Sequence, residues 1–198
     1  MKRKQKRSKK KQSWIQHEYS LSWKFIKESK NFIWSILGIF LLATLIGYFF
    51  PIFYEEQIMD FLKSLINETD GFTIWQMIVY LFQNNLLSAF FGLFLGIFFG
   101  IMPIANSIIN GYLIGFVAGK TVAIEGISVL WRLVPHGIFE LPALFLSLGL
   151  GLRLGLTLFT PKRLSRVFAD SLRVFVFVIF PLLLIAAIIE GILIVFVG

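Results

Sequence analysis

His136, Glu140, Arg153 and Glu190 are ionisable side chains set inside stretches apolar enough to cross a bilayer. Charge at that depth is expensive, so such groups face the protein interior or a wet cavity and carry partners. His136 and Glu140 are four residues apart, which puts them on one helix face, a turn from each other. Asn84, Asn85 and Asn110 bring amide donors and acceptors into two further apolar runs. Three chemistries are open to this set. The side chains can bond to one another and hold helices in register. Glu140 or Glu190 can relay protons or hold a solute, with His136 titrating near neutral pH. Or a metal can act in hydrolysis, which asks for three protein ligands. His136 and Glu140 supply two, and neither His-Glu-x-x-His nor Gly-x-Ser-x-Gly occurs in the chain. The residues favour the polar network, with transport as the alternative and hydrolysis the remote one. They imply no catalytic residue, cofactor or bound metal.

Positioning these groups requires helices that span a membrane. The 198 residues are 57% hydrophobic, with a mean hydropathy of +0.80. Several runs reach the roughly 20 residues that cross a bilayer. They are continuous rather than alternating, so the fold class is all-α and polytopic rather than a barrel. Five spans are expected, at about residues 31–53, 73–102, 105–124, 136–159 and 174–197. Short amphipathic helices at the interface are expected at about 14–30, 54–71 and 161–173. In the first of these the apolar stripe is Ile15, Tyr19, Trp23 and Ile26.

Small residues recur at every fourth position in three spans. Gly92, Gly96 and Gly100 are followed by Gly111, Gly115 and Gly119, then by Ser147, Gly151 and Gly155. Such stripes let backbones approach closely. The first two lie in consecutive spans joined by a short turn, which predicts an antiparallel hairpin packed glycine to glycine. Asn84-Asn85 in an over-long second span predicts a break, a tilt or a lead-in segment at the outer interface, and Pro103 is expected to end that segment. Pro142 should kink the fourth span.

The net charge of +8 is local. Lys2, Arg3, Lys4, Lys6, Arg7, Lys9, Lys10 and Lys11 crowd the N-terminus, and without them 11 basic and 11 acidic residues remain. Residues 1–13 read as a disordered, polybasic cytoplasmic tail on a single membrane domain, 14–198. The tail's chemistry suits anionic lipid headgroups, and nucleic acid is the weaker match. Basic residues flank the tail and 161–173, while 54–71 is acidic. This places the N-terminus inside and, after five spans, the C-terminus outside the cell membrane. There is no cysteine, so disulfide and thiolate chemistry are excluded.

The block Pro135-His136-Gly137-Ile138-Phe139-Glu140-Leu141-Pro142-Ala143 and the Gly-Leu-Arg-Leu-Gly at 151–155 carry a resemblance. Asn110-Gly111 with Gly115, Asn84-Asn85 and Glu190 extend it. In these residues the chain resembles the stage II sporulation protein M family of integral membrane proteins. The resemblance implies five spans with the N-terminus inside. It also implies a membrane scaffold that organises envelope-remodelling proteins and is not itself a hydrolase. The implied partners are other membrane or envelope proteins, or a second copy of the chain.

Overall fold

The computed structural model describes residues 13–128, 130 and 134–197; for 134–136 and 195–197 only the backbone is described. The polybasic tail up to Lys11 lies outside these residues. Every described element is a helix, and five helices are long and apolar enough to cross a membrane.

The chain opens with α1, Trp14–Glu28, on a reciprocal cap in which Ser13 Oγ accepts from Gln16 N–H and Gln16 Oε1 accepts from Ser13 N–H. Ser29 alone separates it from α2, Lys30–Phe49. The amphipathic α3, Glu55–Thr69, starts after Tyr54, whose φ of 58° turns the chain sharply. The same kind of cap, Thr73 with Gln76, opens α4, Ile74–Phe94. A 3-10 turn at Leu95–Ile97 and left-handed Phe99 and Gly100 lead into α5, Ile101–Glu125. Then come α6, Val134–Leu156, and α7, Pro161–Val174. A π-helical turn, Phe175–Ile179, joins α7 without interruption to α8, Phe180–Val197.

Two parallel helix pairs organise the bundle. Ser107 of α5 meets Ile36 of α2, Gly111 meets Phe40, Gly115 meets Thr44 and Gly119 meets Tyr48. Both partners advance together, so α2 and α5 run in the same direction. In the second pair Ser147 of α6 meets Ala89 of α4, Gly92 meets Leu148, Gly96 meets Gly151 and Gly155 meets Gly100. Those helices are also parallel. The sequence-based expectation of a glycine hairpin between the second and third spans is thus corrected: the stripe of α4 packs on α6 and that of α5 packs on α2. The reason is supply of small partners. Ser147, Gly151 and Gly155 on α6, and Ala43, Thr44 and Gly47 on α2, each present a low surface of their own.

The central helix is α6. Half of its spanning window is buried, against 22% for α2 and α4. Its Leu148, Leu150 and Leu154 are fully enclosed among α2, α4, α7 and α8. Lipid tails are as apolar as leucine, so this burial stabilises by close packing rather than by removal from water. The remaining helix, α8, returns antiparallel to α4, with Ile78 facing Gly191 and Phe90 facing Phe175.

Other boundaries differ from expectation. The first span stops at Phe49, before Pro51, rather than at residue 53. The helix α4 runs unbroken through Asn84-Asn85, and the interruption falls at Leu95–Ile97 instead. Pro103 ends nothing; it lies in the first turn of α5, where a missing N–H has no cost. The fourth span ends at Leu156, and α7 is continuous with the fifth, giving 34 helical residues from Pro161 to Ile194. The π turn just ahead of Pro181 is the kind of widened turn that accommodates a proline ring inside a helix.

Candidate functional site

Beside the Ser147–Ala89 contact, four helices converge on a polar cavity of about 110 Å³. Asn84, Asn85 and Ser88 come from α4, Asn110 from α5 and Glu140 from α6; Ala89, Leu144 and Leu183 of α8 close it. The placement follows from helical spacing. Asn84, Asn85 and Ser88 lie within one turn of α4, just before Ala89. Asn110 is set against the cavity because its neighbour Gly111 is locked onto Phe40. Its amide also donates to Asn106 O and Oδ1, both at 2.9 Å. A cavity this size has room for several waters, and a carboxyl group with three amides and a hydroxyl offers enough partners to hold them.

Below the cavity the bundle is shut. Ser147 Oγ donates to Ala89 O, and then the glycines close backbone on backbone. A Cβ on Gly96 would collide with the Gly151 carbonyl, and one on Gly155 would collide with Gly100. The same device recurs in the other pair, where Ser107 Oγ donates to Ile36 O at 3.1 Å. A Cβ on Gly119 would stand 2.6 Å from Tyr48 O.

The single network read from sequence is divided by the structure. Arg153 does not join the cavity. It lies more than three turns beyond Glu140 along α6, at the end of the bundle formed by α1 and α7. There Nη1 donates to Ser29 Oγ at 2.6 Å, Nη2 lies 3.7 Å from Glu28 Oε2, and the guanidinium sits 4.3 Å from the Phe25 ring centroid. The physical reason is helix length: thirteen residues separate Glu140 from Arg153, a rise of about 20 Å. Glu190 does not line the cavity either. It precedes Gly191, which packs on Ile78, whereas the α8 residue at the cavity is Leu183, about 10 Å along the helix. His136 belongs to the first turn of α6, and its side chain lies outside the described residues.

Sequence reasoning missed the partners of Arg153 and a second clasp beside it. Arg173 donates to Glu18 Oε2 at 2.7 Å and to Asp170, and Trp14 and Tyr19 stack edge-on against Phe177. These contacts dock α1 across the ends of α6, α7 and α8, with Ser22, Phe25 and Ile26 buried. Of the expected stripe, Ile26 is buried in the bundle, while Ile15, Tyr19 and Trp23 are exposed, as a face lying on the membrane surface would be. One available signal was that Glu18 and Glu28 are the only acids before residue 55. At the opposite end, Tyr112 Oη accepts from Phe53 N–H and donates to Phe50 O or Phe53 O, while Lys120 pairs with Glu55. These contacts seat α3.

Five spans, two parallel glycine-packed pairs and a polar junction between helices define a multi-pass helical membrane protein. The model of the Stage II sporulation protein M family matches residues 36–193, and the chain belongs to that family. No curated protein and no solved structure matches it.

Proposed function

We propose that this protein is a non-catalytic membrane scaffold that holds partner proteins of the cell envelope, in keeping with the envelope remodelling its family resemblance implies. The observation that carries the reading is the closure beneath the polar cavity. A transport path must continue past Asn84, Asn85 and Glu140, yet there the backbones of α4 and α6 touch at Gly96 and Gly151. The cavity then serves as a junction that sets the register of four helices. We place the α1–α7 end in the cytoplasm and the acidic α3 outside, because basic segments favour the inner side.

The alternative is a transporter, favoured by one observation: a carboxyl and three amides facing a space large enough for a hydrated ion. Purified protein in proteoliposomes decides between them. The scaffold predicts no flux of protons, sodium or potassium above empty vesicles, together with crosslinked envelope partners in cells. Flux that disappears in Glu140→Gln would overturn the scaffold.

A further inference from the structure

The end of the bundle formed by α1 and α7 carries a charge arrangement that the polybasic tail does not explain. The three acids on these helices point inward or are partnered. Glu18 and Asp170 are both held by Arg173, and Glu28 lies beside Arg153. The cations point the other way. Lys24 and Lys27 on α1, and Lys162, Arg163 and Arg166 on α7, are exposed, with Lys30 just beyond α1. Only Arg166 among them approaches an acid in an ion pair described here, at 3.6 Å from Asp170. Arg153 and Arg173 thus partner the acids, Glu28 staying partly exposed, and the outer surface of both helices is mostly basic.

That surface contains a groove of about 730 Å³ on α1, lined by Ser20, Trp23, Lys24, Lys27 and Glu28. Lys24 and Lys27 are three residues apart, and Ser20 is four before Lys24, so all three share one face. Two ammonium groups and a hydroxyl around one depression are donors suited to a phosphodiester, and the Glu28 carboxylate that also lines it is offset by Arg153 3.7 Å away. Trp23 beside them, 55% exposed, is a residue type that settles at headgroup depth, and Trp14 nearby is 67% exposed. The adjoining α1–α2 and α7–α8 junctions are where helices long enough to span leave the membrane, so the groove lies level with headgroups.

We infer that the α1–α7 surface is a binding site for anionic phospholipid headgroups, with the phosphate taken by Lys24, Lys27 and Ser20 and further charge supplied by Lys162 and Arg163. The site is built from folded helices and is separate from residues 1–12. It holds for either orientation in the membrane and does not depend on the scaffold reading.

The test uses the full chain in a neutral detergent, with phosphatidylglycerol or phosphatidylcholine added and retained lipid counted by native mass spectrometry. Two variants are compared with the parent. One replaces the eight tail cations with glutamine. The other carries Lys24→Gln, Lys27→Gln, Lys162→Gln and Arg163→Gln, all at exposed positions, and its unchanged melting temperature without lipid verifies the fold. Phosphatidylglycerol should bind the parent and the tail variant alike, and bind the four-site variant at least roughly tenfold more weakly. Raised salt should weaken it in the parent. The inference is overturned if the four-site variant keeps parental affinity, or if the tail variant loses binding as fully. Equal retention of phosphatidylcholine by the parent, or tighter binding of RNA than of phosphatidylglycerol to the same four cations, also overturns it.

Discussion

Gly96 of α4 and Gly151 of α6 touch backbone to backbone, and a methyl group on either would have to occupy space already filled by the other helix. Gly115 meets Thr44 of α2 in the same way, in a pair that runs in the opposite direction across the bundle. In both pairs a serine hydroxyl, Ser147 or Ser107, donates to a carbonyl of its partner one turn before the glycines begin. One packing device is therefore used twice, and it produces both the bundle's rigidity and the closure beneath the polar cavity.

Gly96→Ala and Gly115→Ala should each lower thermal stability sharply, and the leucine variants should fail to accumulate. Backbone has no rotamer through which to yield, so the helices must separate and lose the dispersion contacts along the whole stripe. Overpacking of this kind costs about 1–3 kcal/mol or more. Gly38→Ala is the control, because nothing lies within 4 Å of a Cβ there. It should be neutral or stabilising by up to about 1 kcal/mol. Melting curves in detergent compare the three; equal losses at Gly38 and Gly96 would show that the stripe is not the cause.

Arg153→Gln should release α1 while leaving the five spans assembled. The substitution removes the charged donor to Ser29 Oγ, the ion pair with Glu28 and the contact with the Phe25 ring. A hydrogen bond from a charged group contributes about 1.5–3 kcal/mol. Amide exchange in Phe25 and Ile26 should quicken by at least roughly tenfold. Arg153→Lys should recover only part of the protection, since an ammonium lacks the planar fork. Unchanged exchange in the glutamine variant would mean that α1 is held by Arg173 alone.

Glu140→Gln should be milder than Glu140→Ala in both stability and complementation. Glutamine still offers a donor and an acceptor to a cavity lined by Asn84, Asn85 and Asn110, whereas alanine leaves these amides short of a partner. A variant that folds normally as glutamine yet fails completely in complementation would assign Glu140 a proton or ion, and the junction reading would be lost.

Single cysteines at Gln5, Asp60 and Ser165 should distinguish the two faces, the native chain having none. An impermeant maleimide on intact cells should label position 60 alone. Label at position 5 or 165 would invert the proposed orientation.

The helical class, the number of spans and the existence of close-packing stripes were legible in the chain itself. Each depends on properties local to one segment: a run of apolar residues long enough for a bilayer, or small residues recurring every four positions. Pairing was not local. Gly92, Gly96 and Gly100 look equally able to pack on the next span or the one after, and nothing in their own sequence names the partner. The choice fell to α6 because Ser147, Gly151 and Gly155 match them in height and register, which is a property of two surfaces at once. The polar residues obey the same division. That Glu140, Arg153 and Glu190 need partners follows from the cost of charge in lipid. Which partner each one finds depends on depth, and the rise along α6 carries Arg153 away from Glu140 to Ser29 and Glu28. Asn84, Asn85 and Asn110 come together with Glu140 because two parallel pairs bring α4 and α5 to α6 at one height. Arg153 reaches Ser29 and Glu28 only because α1 folds back under the bundle, a contact between residues 124 positions apart.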